Sequence, residues 1–138
     1  MLGEFRGYGR KGGLFDGVDE VVSWKKVLLE NGDFKKIKYI DYDYWNELSG
    51  KTGLVVDGVK NVKAGLVVFG VSNRQHWQVA EIIKKGGKFP NIVLLMDTQN
   101  NLKLLEGHVR LTGYLLANDI PQSIEAIVGF MRGNKENK

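Results

Sequence analysis

Residues 91–96, NIVLLM, are apolar at every position after the asparagine and follow directly on Pro90. A strand with one wet face alternates apolar and polar side chains, so an unbroken run of this length marks a strand covered on both faces. That requirement shapes the rest of the chain, which must supply layers to cover it. DTQNN at 97–101 is rich in turn-forming residues, and KLLEG at 103–107 reads as a second strand returning beside the first. A helix from about residue 108 to 118 follows, closed by Asn118-Asp119 and kept from extending by Pro121. SIEAIVGF at 123–130 is a last strand candidate.

Upstream, Asp19 can cap a helix with Val21, Trp24, Val27 and Leu28 on one face, stopped by Asn31-Gly32. FKKIKYI at 34–40 is strand-like, and DYDYWNELSG at 41–50 reads as a short helix with Trp45 and Leu48 inward and Gly50 at its end. GLVVDG at 53–58 and GLVVFG at 65–70 look alike, but two such short apolar matches arise by chance. Ser72 opens the clearest helix of the first half, with Gln75 three residues on in capping-box spacing. His76, Ala80 and Ile83 form its stripe with Val79 beside them, Lys84 and Lys85 suit its negative end, and Gly86-Gly87 terminate it. Strands and helices alternate without strict βαβ spacing, which predicts a single compact mixed α/β domain with a small mixed sheet.

The 138 residues carry a net charge of +4, and its location matters more than its size. Residues 1–13 hold a surplus of +2 (Arg6, Arg10, Lys11 against Glu4), and residues 131–138 another +2 (Arg132, Lys135, Lys138 against Glu136). The expectation is a domain over 14–130, formally neutral, between two flexible basic tails, 1–13 and 131–138. Such tails keep a protein soluble or touch phosphates. The absence of cysteine excludes disulfides, thiolate zinc sites and cysteine nucleophiles. No segment resembles a signal peptide or a membrane span, so the expected setting is cytoplasmic.

The stretch LLEGHVRLTGYLLAND, 104–119, sets Glu106, Gly107, His108 and Arg110 at a strand-to-helix corner. The first N–H groups of a helix lack intrahelical acceptors and attract anions. Gly107 allows a sharp turn and a close approach to the backbone, Arg110 offers a planar set of donors, and Thr112 a hydroxyl. His108 is a donor to phosphate or a proton carrier. Glu106 can hold a magnesium ion, accept a proton, or pair with Arg110. The same residues also make a well-capped helix with a Glu106–Arg110 ion pair at i,i+4 spacing, and the residues alone leave both readings open.

LLEGHVRLTGYLLA resembles the motif of the ParB/sulfiredoxin-like superfamily, in which Gly-x-x-Arg opens a helix after a strand. FGVSNRQHWQVAEIIKKGGKFPNIVLLMD at 69–97 is similar to the helix and strand that precede that motif. The resemblance covers 69–118 well, 123–130 loosely and 1–68 weakly. It implies a nucleoside triphosphate, ATP or CTP with Mg²⁺, held through Gly107 and Arg110, with His108 as a further phosphate contact or proton carrier. Ser72 and Asn73 would lie near the nucleotide. Phosphoryl transfer or nucleotide hydrolysis would then involve Glu106 and His108, with Asp57 and Asp97 as other acidic candidates. Sulfiredoxin chemistry is excluded for want of a cysteine. A single Arg110 after Val109, and only about twenty residues beyond the helix, depart from ParB partition proteins.

Two other function classes stay open: a non-catalytic interaction or small-nucleotide-binding module, and DNA binding or nicking through the basic tails. His76, on the stripe of its helix, reads as a core or rim histidine. Trp24, Trp45 and Trp77 read as helix-face aromatics that pack the core, with base stacking an alternative for Trp77. Two histidines and no cysteine give no metal-ligand motif.

Overall fold

The apolar run does form a central strand. The computed structural model describes residues 21–88, 91–118 and 122–131. In chain order it contains β1 (Val21–Leu29), α1 (Asn31–Phe34), β2 (Ile37–Lys38), α2 (Asp43–Leu48), α3 (Val55–Lys63), α4 (Arg74–Lys84), β3 (Ile92–Met96), β4 (Leu102–Glu106), α5 (His108–Ala117) and β5 (Ile124–Met131). The strands make one mixed sheet in the order β1-β5-β3-β4-β2. β5 pairs antiparallel with β1 and parallel with β3, β4 antiparallel with β3 and parallel with β2. The result is one compact mixed α/β domain.

β3 is flanked on both sides, and Ile92, Val93, Leu94 and Leu95 are all buried. Ile92 and Leu94 join the main core with residues from all five helices, while Val93 and Leu95 join Leu105 in a smaller cluster with Trp24 and Ile127. The turn after β3 is built as its residues suggest. The Asp97 carboxylate accepts the N–H groups of Gln99 at 2.8 Å and Asn101 at 2.9 Å. α4 ends in a Schellman arrangement, with Gly87 N–H donating to Ile82 O at 2.8 Å and Gly86 N–H to Ile83 O at 3.0 Å.

Several expectations are corrected. Residues 21–29 are a strand, not a helix. The register slips between Val21 and Ser23, and this extra residue puts Val21 and Trp24, three apart, in the same cluster, a spacing that imitates a helix face. Pairing along nearly the whole of β5 then outweighs any helical preference. Leu28 is exposed and Leu29 buried, the reverse of the helical reading. Asn31-Gly32 begins the single turn of α1, where Glu30 N–H donates to the Asp33 carboxylate at 2.8 Å. The strand expected over 34–40 is only two residues long. The first of the two look-alike segments leads into α3 and the second forms an exposed turn. α4 starts one residue later than expected, with Asn73 at the cap position, and Ser72 Oγ accepts the Arg74 N–H at 3.0 Å. Met131 is the last residue of β5 rather than part of a tail. Asp19, Pro90, Asp119, Pro121, all of residues 1–13 and residues 132–138 lie outside the described residues. Among the described residues no helix is long and apolar enough to cross a membrane.

Candidate functional site

The strand-to-helix corner is a tightly packed joint. Gly107 caps α5 with φ 96°, and a Cβ there would lie 2.7 Å from Cγ2 of the buried Ile92. The glycine is therefore demanded by backbone conformation and by Ile92. Space for an approaching oxygen is filled on that side. Glu106 and Arg110 are half-buried and face each other at 3.8 Å, the ion pair that their spacing allowed.

His108 and Thr112 turn inward from this corner. His108 is buried, and its Nε2 accepts the Ile40 N–H at 3.2 Å. Burial pushes its pKa down to about 3, so it is neutral at physiological pH. Thr112 is fully buried, donating to His108 O at 2.8 Å and meeting the Tyr39 hydroxyl at 2.7 Å. In this geometry neither side chain reaches the surface to touch phosphate, and His108 is not poised to exchange protons with a substrate. Asp57 and Asp97 serve local structure, the first accepting from Thr52 Oγ1 at 2.7 Å, the second organizing its turn.

Both histidines of the chain converge on Trp45. The Trp45 ring stacks on Tyr39 at 4.6 Å and on His108 at 5.1 Å, meets Tyr44 edge-on at 4.7 Å, and lies 5.7 Å from His76. Trp45 is buried as expected, whereas Trp24 lies on β1 and Trp77 is 40% exposed, so Trp77 is not a core residue. His76 is buried, with Nε2 3.0 Å from the Tyr44 hydroxyl and Nδ1 without a partner. Burial lowers its pKa to about 4 and raises that of Tyr44.

Above this cluster opens a cleft of about 540 Å³. Its walls come from Tyr42, Tyr44 and Trp45 at the start of α2, from Val71, Ser72, Arg74, Gln75 and His76 at the start of α4, and from Val109 in the first turn of α5. The two helices pack closely because Gly113, one turn beyond Val109, lies where a Cβ would come within 2.5 Å of Val79 and 3.0 Å of His76 O. Their first turns therefore open on one cleft. The partial positive charge of helix amino ends and the Arg74 guanidinium give it anionic preference, and the tyrosine rings give it an aromatic wall.

Of the residues singled out from sequence, Ser72, Trp45 and His76 line the cleft, whereas Glu106 and Arg110 do not. Asn73 turns aside, its Nδ2 donating to Leu66 O at 2.7 Å. Gly107, His108 and Thr112 belong to the packing beneath. Tyr42, Tyr44, Arg74, Gln75 and Val109 were not anticipated. The available signal was the density of aromatics in DYDYW at 41–45, too many for the inward face of a short helix. The cleft lining contains no carboxylate, and the described residues hold no group of three histidine or acidic side chains able to bind a metal. These donors suit a phosphate; they do not fit a magnesium ion. Comparison with protein-family models, with curated proteins and with solved structures gives no match.

Proposed function

We propose that this chain binds a nucleotide in the cleft between α2 and the amino ends of α4 and α5, with the base against the tyrosine wall and the phosphates toward Arg74. The observation that carries the reading is the pairing, in one cleft, of an aromatic wall with an arginine and two helix amino ends. Ligand sites of this kind combine mostly apolar walls with a few convergent polar groups. The resemblance of residues 69–118 to the ParB/sulfiredoxin-like superfamily supports the same ligand class, and the absence of cysteine suits a cytoplasmic setting.

Binding has more support than turnover. No carboxylate lines the cleft to act as base or metal ligand, Glu106 is held against Arg110, and His108 is sealed in the core. The proposed activity is therefore nucleotide binding by a module without its own phosphoryl-transfer machinery.

Calorimetric titration with ATP, CTP, GTP and UTP tests this on the parent, Arg74→Ala and Arg110→Ala proteins. Hydrogen bonds to a charged group contribute roughly 1.5–3 kcal/mol, so Arg74→Ala should weaken binding about tenfold or more. Arg110→Ala should have the smaller effect. Loss of binding in Arg110→Ala with Arg74→Ala unchanged would move the ligand to the Gly107 corner. No binding by the parent would reject the reading.

A further inference from the structure

Lys38 and Lys103 are direct neighbours on parallel strands. They are register partners between β2 and β4, so their side chains leave the same face of the sheet, one strand spacing apart. The same row continues through Leu95 on β3, Gly129 on β5 and Trp24 on β1. It runs from the smaller apolar cluster, which holds Trp24 and Leu95, to two adjacent ammonium groups at the sheet margin.

Like charges placed directly opposite one another destabilise a sheet. Lysine on an outer strand often serves to block pairing with another chain. That explanation fails for Lys38, whose edge is already closed by an antiparallel bridge to Leu54 and by the Tyr39 N–H donating to Gly53 O at 2.8 Å. The Lys38 stem also packs past Gly53, its Cδ 3.7 Å from where a Cβ would stand. The fold therefore holds the two lysines side by side without an evident structural return.

Both border a groove of about 370 Å³ that shares no lining residue with the aromatic cleft. Three lysines and two carboxylates line it, and the carboxylates have other tasks. Asp97 accepts the N–H groups of Gln99 and Asn101 and the Asn101 side-chain amide at 3.1 Å, while offsetting part of the charge of Lys103. Asp41 accepts from Asn46 Nδ2 at 2.9 Å, and the third lysine, Lys51, is paired with Glu47 at 3.2 Å. Among the described residues neither Lys38 nor Lys103 makes an ion pair.

We propose that this groove is a second anion site, in which a phosphate group sits between the ammonium groups of Lys38 and Lys103. A phosphate with nearly two negative charges turns a repelling pair into a bridged one, and each ammonium supplies a charge-assisted hydrogen bond. Inorganic phosphate and the phosphoryl group of a small ester share this chemistry. The site is independent of the nucleotide cleft.

The test is amide chemical-shift titration with inorganic phosphate and with glycerol 3-phosphate, at constant low ionic strength. The proteins are the isotope-labelled parent, Lys38→Gln, Lys103→Gln, Lys38→Arg and Arg74→Ala. Shifts should appear at Lys38, at Lys51 through Gly53 and at Asn101 through Lys103. Each glutamine variant should bind about tenfold more weakly, the effect of losing one charged donor, while Lys38→Arg and Arg74→Ala keep the affinity of the parent. The tighter of the two ligands identifies the source of the phosphate group. Lys38→Gln should melt no lower than the parent, since it removes a like-charge contact. No shift at these residues, or unchanged affinity in both glutamine variants, overturns the site and leaves the cleft untouched. Loss of these shifts in Arg74→Ala would overturn it by assigning the anion to the cleft. A lower melting temperature of Lys38→Gln would show that the fold already satisfies this ammonium, which also contradicts the proposal.

Discussion

Replacing Gly107 by alanine tests whether the corner glycine serves the fold. Its φ of 96° lies in left-handed territory, where an L-residue costs about 1–2 kcal/mol. The new Cβ would sit 2.7 Å from Ile92 Cγ2 and 3.2 Å from Ile92 Cβ. Ile92 is fully buried at the start of the central strand. Overpacking of this kind costs about 1–3 kcal/mol. Together the two effects give about 2–5 kcal/mol, a large part of the roughly 5–15 kcal/mol that holds a domain folded. Urea unfolding at neutral pH measures it directly. With a slope of about 1–3 kcal/mol per molar for a small domain, the midpoint should fall by at least about 0.7 M. A loss below about 1 kcal/mol would refute the packing argument and return the glycine to a ligand role.

Three further outcomes are expected. The two buried histidines make stability depend on pH: their folded pKa values, about 4 for His76 and about 3 for His108, lie below the unfolded value of 6.5. The unfolded state therefore binds more protons, and stability is full above pH 6.5 and declines as pH falls toward those lower values. The urea midpoint should drop between pH 7 and pH 5, before most carboxylates titrate; a flat profile there contradicts the burial of both rings. Tyr39→Phe removes the bond to Thr112 Oγ1 at 2.7 Å and should cost about 1 kcal/mol in the same assay, and no loss would mean the pair adds nothing to the core. Phe69→Asn should raise or preserve the melting temperature, since it relieves a turn strained by φ 52° at Phe69 without uncovering core; a clear drop would show that the ring packs somewhere.

What the sequence disclosed depended on how local the controlling physics was. NIVLLM, DTQNN and the helix after Gly107 are governed by runs, turn chemistry and capping, and they formed as expected. β1 was misread because a bulge near Val22 shifts the alternation, and only its partner β5, about a hundred residues away, shows that register. α3 went unanticipated because four valines and an internal glycine, Gly58, give it weak helical preference, which burial of Val55, Val59 and Val62 overrides. The site divided in the same way. Gly107 and the Glu106–Arg110 pair were legible as a corner, since both are set within a few residues. That His108 and Thr112 face inward depends on Ile40 and Tyr39, and the cleft exists only because α2 meets α4 and α5.

The position of a bound nucleotide separates the cleft from the Gly107 corner. Amide chemical-shift mapping of isotope-labelled protein titrated with ATP and with CTP locates it residue by residue. The expected shifts cluster at Tyr42, Tyr44 and Trp45, at Ser72 through His76, and at Val109. Shifts confined to Glu106, Gly107 and Arg110, or none from either nucleotide, would contradict the cleft as the binding site.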